Sequence, residues 1–345
     1  KDLKDGIIRC VGDAGQRFDE DALRMLRAVR FAGQLGFEID DNTRNAIVQR
    51  ADRLENISAE RIRVELTKLL VAKEAGRLRD AYSTGMTRYF LPELDKAMVT
   101  EQKNPHHIYT VGEHSIHGIE IMNCFFEVTS DRKMYDKVPE KIMSTAKKIA
   151  KKMNKKQHTI LCMAMLLHDI AKPVVMTVDD DGTGHFYGHP QESEKMAKKI
   201  MRRLTFDNES ISKVCRLVKF HDYRIEDSNR AFRRAVSKIG ADIMDMLFLV
   251  EYADVLSQSD KMLEEKLSKI NSGVERFEYI TQNAQPLSIK ELALTGSDLI
   301  AAGVKPGPNM GEILKKMLDK VLDEPEANTK ENLLEYLKTM DEFSL

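Results

Sequence analysis

The stretch "RFDEDALRMLRAVRF", Arg17 to Phe31, places apolar residues at Leu23, Met25, Leu26 and Val29 beside a row of Asp21, Arg24, Arg27 and Arg30. Apolar residues at three and four spacing mark a helix with one face in a core, so the pattern predicts a helix over 20–35. The charged row advances about 300° at each step, so it winds slowly round that helix and its neighbouring members touch. The same period recurs over 41–53, 58–71, 114–127, 141–153, 158–171, 191–204, 209–220, 229–237, 240–257, 260–276, 288–293, 310–322 and 328–339. Ser58 reads as an N-cap for one of these, with Arg61 and Glu65 four apart behind it. The fold class expected is therefore all-α. One β signal interrupts it, "VVMTVDDDGTGHFYGH" from Val174 to His189, where two short β-prone runs flank an Asp/Gly turn and imply at most a small hairpin near 174–188.

Composition bounds what such a chain can do. At 345 residues and 42% apolar content it has material for two or three domains. Lys plus Arg (54) nearly cancels Asp plus Glu (55), so no overall field draws it to nucleic acid or an anionic membrane. Cys10, Cys124, Cys162 and Cys215 are widely spaced and read as thiols in a reducing compartment. With no signal-peptide pattern and no apolar run of about 18 residues, the expected location is the cytoplasm. Breaks near 102–110 ("QKNPHHIYT") and 281–288 ("TQNAQPLS") suggest the divisions.

The charged row has a chemical use. An Asp acceptor beside an Arg donor matches the exocyclic amino donor and ring-nitrogen acceptor of cytosine and adenine. It mismatches the carbonyl and N–H of guanine and uracil. Further arginines would serve a triphosphate.

On these residues the sequence resembles a known family. "VGDAGQRFDEDALRMLRAVRFAGQLGFEI" followed by "ISAERIRVEL" is similar to the neck of class II tRNA nucleotidyltransferases, the CCA-adding enzymes, and their bacterial poly(A) polymerase relatives. The resemblance implies that Glu20, Asp21 and Arg24 stand at the family's E-D-x-x-R motif. Its Asp and Arg act there as a protein template selecting C and A, and Arg27 and Arg30 complete the nucleotide pocket. "DGIIRCVGDAGQRF" resembles the preceding flexible motif, with Ala14 where the family usually has Pro. In the family this helix follows a head in which a G-G-x-x-R-D loop, a D-x-D pair for Mg and an R-R-D-x-T-x-N-A strand occur together, a combination absent here. The chain, which opens on "KDLKDGIIRC", thus reads as a member without its head, carrying no catalytic residue for nucleotidyl transfer. CTP, ATP and tRNA are the implied partners.

All nine histidines lie in the span from His106 to His221, and "MAMLLHDIAKP" stands within it. That segment puts His168 and Asp169 at the end of an apolar helix before Pro173, where adjacent ligands can be aimed into a bundle interior. His114, His168, Asp169 and Asp254 resemble the H…HD…D signature of the HD phosphohydrolase superfamily. His189 and His221 resemble the further histidines of members that hold a second metal. Mixed imidazole and carboxylate ligands suit Mn, Fe, Co or Ni. His106, His107 and His117 read as structural or outer ligands, and His158 and His185 have no assigned part.

Lys147, Lys148, Lys151, Lys152, Lys155 and Lys156 are spaced as one basic face, with shorter patches in "MAKKIMRR" and "NRAFRRAVSK". The Gly-Pro loop from Gly303 to Gly311 precedes a helix and resembles the tail of the longer CCA-adding enzymes, which contacts the outer part of tRNA. The expected organisation is a nucleotide-selecting, RNA-binding neck and body over 1–100, an HD-type bundle over 101–265 and a tRNA-contacting helical tail over 266–345. The alternative is a metal-dependent phosphohydrolase acting on RNA ends or nucleotides.

Overall fold

The computed structural model describes residues 1–103, 108–129 and 138–340, so the expectation for His106 and His107 lies outside the described residues. The fold is all-α, with two small two-stranded sheets among the described residues. The chain divides into two compact units, Lys1–Tyr223 with Asp245–Ile270, and Arg224–Met244 with Asn271–Leu345. Residues 1–100 and 101–223 thus share one unit, while 224–244 pack with 271–345.

The first unit corrects the opening expectation. Arg17 to Ala32 is two helices, α1 (Ala14–Glu20) and α2 (Leu23–Leu35), parted at Asp21. There the backbone turns extended (φ −154°), and the Asp21 Oδ1 accepts from the Leu23 N–H at 3.2 Å. An aspartate that bonds a nearby backbone N–H competes with the helix ladder, which is why the chain breaks at this residue. Leu23, Met25, Leu26, Val29 and Ala32 are buried, and α2 ends where Gly36 takes the left-handed conformation (φ 71°).

Helices α3 (Asp41–Arg50), capped by the Asp40 side chain, and α4 (Ala59–Leu70) follow, with α4 against α2. Ser58 is the N-cap of α4, but its side chain makes no capping hydrogen bond. Strands β1 (Ile7–Ile8) and β2 (Glu38–Ile39) pair in parallel, Ile7 opposite Glu38, a two-residue element too short to leave a period in the sequence.

The rest of this unit is a bundle of α5 (Leu78–Ser83), α6 (Pro92–Val99), α7 (Val111–Phe125), α8 (Glu140–Ala150), α9 (Lys155–Leu167), α10 (His189–Arg203) and α11 (Asn208–Phe220). α9 is its centre, packed on α7 and α11. Residues Lys155–Val175 are long and apolar enough to cross a membrane by length and composition, contrary to the expectation of no such run, and 78% of the apolar window is buried inside the protein. Pro173 does not end that segment. It stands in the first turn of the short helix that follows, Lys172–Val175. His158 on α9 has a structural place: its Nε2 meets Asn123 Oδ1 at 2.7 Å, Phe126 stacks on its ring, and burial pushes its pKa down to about 4. The hairpin expected near 174–188 is present as β3 (Thr177–Val178) and β4 (Gly184–His185), with Thr177 opposite His185.

The basic face expected at 147–156 is interrupted. α8 ends at Ala150 and α9 begins at Lys155, so the lysines do not share a helix. Lys147 pairs with Glu127, Lys152 with Asp245, and Lys156 with Asp207 and Glu209. Cys124, Cys162 and Cys215 are buried and Cys10 is half-buried, and none of the four is in a disulfide.

Helices α12 (Asn229–Ile239), α13 (Ala241–Leu256) and α14 (Leu263–Gln282) lead on; the latter two run through both units. The second unit adds α15 (Gly296–Ala301), α16 (Asn309–Asp323) and α17 (Lys330–Lys338) around a core of Leu294, Leu299, Ile313, Met317, Val321, Leu333 and Leu337. The patch "NRAFRRAVSK" proves structural here. Arg233 is buried and donates to the Leu322 and Asp323 carbonyls at the end of α16, while Arg230 and Arg234 pair with Asp323. Cations on the last carbonyls of a helix also complement its dipole.

Candidate nucleotide-reading row and metal centre

The break at Asp21 gives the charged row a geometry that a continuous helix would not. Asp21 and Arg24 are not paired with each other. Arg61 on α4 donates to Asp21 Oδ2 at 2.8 Å, and Arg24 reaches back to Glu20 at 2.5 Å and to the Arg17 carbonyl at 2.9 Å. Glu20, which also accepts from Arg17, is held below the usual carboxylate range by these two guanidinium hydrogen bonds. The Asp21 side chain keeps 23% of its surface and that of Arg24 keeps 38%, so both remain available to a ligand.

Arg27 and Arg30 are not free, as the sequence suggests, but are both held by one buried carboxylate. Glu65 on α4 lies 3.3 Å from Arg27 Nε and 2.5 Å from Arg30 Nε, with its side chain 4% exposed. Arg30 also donates to Gln34 and covers the Phe31 ring. The signal for this was in the sequence: Glu65 falls on the buried stripe of α4 with Ile62, Leu66 and Leu69, where an unpaired carboxylate is costly.

The six expected ligands converge. His114 comes from α7, His168 and Asp169 from the end of α9, His189 from the first turn of α10, His221 from the end of α11 and Asp254 from α13. His114 Nε2 is 2.9 Å from Asp254 Oδ1 and 3.2 Å from His168 Nε2. His168 Nε2 is 3.3 Å from Asp169 Oδ2. Across the carboxylate, His189 Nε2 and His221 Nε2 lie 3.2 and 3.6 Å from Asp169 Oδ1, and 3.4 Å from each other. The donors form two overlapping groups, His114, His168 and Asp254, and His168, Asp169 and His221.

The ring orientations fix what these atoms offer. Nδ1 of His168, His189 and His221 donates to the Met165, Phe186 and Val218 carbonyls at 2.7, 2.9 and 2.8 Å. His114 Nδ1 faces the Ser257 carbonyl and hydroxyl, and that hydroxyl already donates to the Asp254 carbonyl. With each Nδ1 proton so used, a neutral imidazole presents a lone pair at Nε2. Four lone pairs and two carboxylates therefore face one another in a site where His114, His168 and Asp169 are at most 1% exposed. Asp169 Oδ1 has no donor in hydrogen-bonding geometry. Such a set needs a cation. Two ligands each about 2.1 Å from one ion stand roughly 3.0–3.4 Å apart, close to the 2.9–3.6 Å between these atoms, so the residues fit a bound metal.

A proton is the competing cation. Burial alone would lower the pKa of His168, but Asp169 and Asp254 outweigh it and hold it up at about 10. Burial likewise works against the charge of Asp169, and His168 and Lys172 overcome it, holding its carboxyl well below the usual range.

Four neighbours escaped the sequence reading as site residues or gained a role. Lys172 Nζ sits 2.6 Å from Asp169 Oδ2 and donates to the buried Gln102 Oε1 at 2.8 Å. Gln258 donates to Asp254 Oδ1 at 3.0 Å. Glu251, one turn before Asp254 on α13, has its carboxyl pushed up to about 8 by burial and by the Asp254 and Asp222 charges. His117 pairs with Glu120, which is shared with Arg79, and so sits in a separate ion network.

Two family models match parts of the chain. Residues 36–98 match the family described as the probable RNA and SrmB-binding site of polymerase A, and residues 189–337 match that described as tRNA nucleotidyltransferase domain 2. The chain is 47% identical over 92 residues to the CCA-adding enzyme of Leuconostoc mesenteroides, covering 27% of this chain and 23% of that one. It is 50% identical over 96 residues to the CCA-adding enzyme of Bacillus licheniformis, covering 28% and 24%. The chain thus spans about a quarter of the length of these relatives. At 27% identity it is similar over 334 residues to the A-adding tRNA nucleotidyltransferase of Deinococcus radiodurans, covering 92% of this chain and 68% of that one. The fold is similar to that of the Bacillus stearothermophilus CCA-adding enzyme in complex with CTP, with a TM-score of 0.59 at 20% identity over 98% of this chain and 66% of that one.

Proposed function

We propose that this chain is the nucleotide-selecting and tRNA-holding part of a tRNA nucleotidyltransferase, with a neck over 1–100, an HD-type centre over 101–265 and a tail over 266–345. The observation that carries the reading is Asp21. Its carboxylate stands at a helix break, is fixed by Arg61 and lies three residues from an exposed guanidinium. One oxygen is thereby oriented as an acceptor for an exocyclic amino group, and Arg24 supplies the donor for the neighbouring ring nitrogen. CTP and ATP meet that pair, and GTP and UTP do not. Both CCA-adding and A-adding relatives support the reading.

In this reading the carboxylates that hold Mg for transfer come from a head with a D-x-D pair. The cytoplasm is the compartment this reading implies. The experiment for the tRNA part is filter binding of the chain to tRNA trimmed of its 3′ end. Binding that weakens steeply with salt is expected from backbone contacts, and no binding at about 50 mM salt contradicts it.

Glu65 positions the row. The change Glu65→Gln keeps its shape and removes its charge, so Arg27 and Arg30 lose their common anchor. A charge-assisted hydrogen bond is worth about 1.5–3 kcal/mol, discounted because Arg27 is half exposed, so KM for ATP should rise roughly 3- to 10-fold. The C and A preference should stay as it was, since Asp21 is held by Arg61. Steady-state kinetics with all four nucleotides in the head-containing protein measures both.

A second reading is favoured by the donor cluster. His114, His168, Asp169 and Asp254, with His189 and His221, would hold Mn, Fe, Co or Ni, and such an ion supplies an activated water and a clamp for phosphoryl oxygens when bound. The chain's own residues do the rest. Asp169 and Asp254 carry the charge, and Lys172 and Gln258 orient them. This would hydrolyse a phosphate ester.

A further inference from the structure

Of the basic stretches in the sequence, "MAKKIMRR" is one that neither the fold nor the two sites account for. Lys147, Lys152 and Lys156 are drawn to acids from other segments, and the arginines of "NRAFRRAVSK" hold the end of α16. α10 is different. Its buried stripe is Ser193, Ala197, Ile200 and Met201, and at about 100° per residue the middle of the opposite face falls on Lys195, Lys198, Lys199 and Arg202. All four are exposed. Lys195 pairs with Glu192 of the same helix, while Lys198, Lys199 and Arg202 have no acidic partner among the described residues. Lys198 and Arg202 stand four apart, where like charges repel, so the helix carries this arc at a small cost that an external polyanion would relieve.

The surroundings select the polyanion. Among the described residues no large apolar side chain of α10 is exposed, so the face lacks the apolar centre of a protein interface. The apolar stripe of the helix is buried in the bundle and is not available to a lipid surface. Cations without an apolar centre suit a phosphate backbone, which Lys and Arg contact irrespective of sequence. The end of α10 also leads to the reading row. Arg203 is fixed to Glu93 at 2.7 Å, and just beyond it the Thr205 carbonyl accepts from Arg63 of α4, whose guanidinium lies 5.7 Å from the centre of the Phe206 ring. Arg63 stands two residues from Arg61, which holds Asp21. A backbone lying along α10 therefore runs toward the helix that orients the template.

We infer that the outer face of α10, from Lys195 to Arg202, is a track for the phosphate backbone of tRNA. The inference rests on the tRNA-holding reading given above and assigns that role a surface.

Filter binding of the whole chain to tRNA trimmed of its 3′ end, over a series of salt concentrations, tests it. Lys198→Gln, Lys199→Gln and Arg202→Gln together remove three phosphate contacts. Each contributes about 0.7–0.9 to the slope of log K against log salt, so the slope should become shallower by about 2–3 and binding at about 50 mM salt should weaken. The combined change Lys141→Gln, Lys151→Gln and Lys155→Gln removes the same charge from other exposed positions and should leave the slope as it was. Wild-type slope and affinity in the α10 variant overturn the track and leave an acidic protein as the partner of this face. Equal losses in the two triple variants also overturn it, because net charge alone then accounts for them. If the unaltered chain does not bind the trimmed tRNA at about 50 mM salt, the tRNA-holding reading itself fails and the track with it.

Discussion

With Asp21 replaced by alanine, the head-containing protein should incorporate GMP and UMP at rates approaching its residual rates for CMP and AMP. The carboxylate is half-buried, oriented by Arg61 and positioned by a backbone bond to Leu23, so it meets a base without first having to be ordered. A charge-assisted hydrogen bond of this kind is worth about 1.5–3 kcal/mol, or roughly 10- to 150-fold in discrimination. CTP and ATP lose that bond, while GTP and UTP lose a mismatch. Arg61→Gln should produce a weaker form of the same phenotype, because the carboxylate stays but is no longer held. Single-nucleotide incorporation with the four triphosphates reads both variants, and unchanged selectivity in Asp21→Ala removes the template assignment.

The second large effect is at the donor cluster. Purified protein should hold close to stoichiometric transition metal, and Asp169→Ala should hold almost none, because Asp169 faces four imidazoles and joins both halves of the set. The variant also leaves the buried Lys172 ammonium without its carboxylate, with the Gln102 amide and the Phe186 ring beside it. A ligand bound only by the folded chain stabilises it by about 3–4 kcal/mol at roughly 100 to 1,000 times its Kd, so thermal unfolding of the wild type should shift upward with added Mn and that of the variant should not. Hydrolysis of a phosphodiester should disappear with the metal, while nucleotide selection at Asp21 survives. Elemental content and melting curves with and without Mn decide this. A metal-free wild type of unchanged stability leaves only a structural bundle.

Much of this was legible in the sequence because the signals were periodic or adjacent. Apolar spacing found most of the long helices, and His168 beside Asp169 pointed to the buried cluster of imidazoles and carboxylates, since adjacent polar residues closing an apolar helix must be satisfied inside it. What was not legible had no period. The two-residue strands at Ile7 and Glu38 left no pattern, and the short helices between 72 and 100 were too brief to show one. The break at Asp21 was hidden because one side-chain bond to Leu23 overrides a spacing that continues through it. Pairing across the chain was also beyond reach. Lysines 147, 152 and 156 looked like one basic face until their acidic partners came from other segments, and Arg27 and Arg30 looked free until α4 placed Glu65 between them. Glu65 stands on the apolar stripe of α4, which marks it as an acid in need of a partner but does not say which arginines meet it.

The most direct test of the central claim is nucleotide choice at a tRNA 3′ end. tRNA ending before its terminal A, and tRNA ending before C-C-A, are offered to the head-containing protein with one labelled nucleoside triphosphate at a time. The expected result is incorporation of AMP, with or without CMP, at least about ten-fold above GMP and UMP. Comparable incorporation of all four, or none onto either tRNA, would contradict the assignment of this chain as the base-selecting part of a tRNA nucleotidyltransferase.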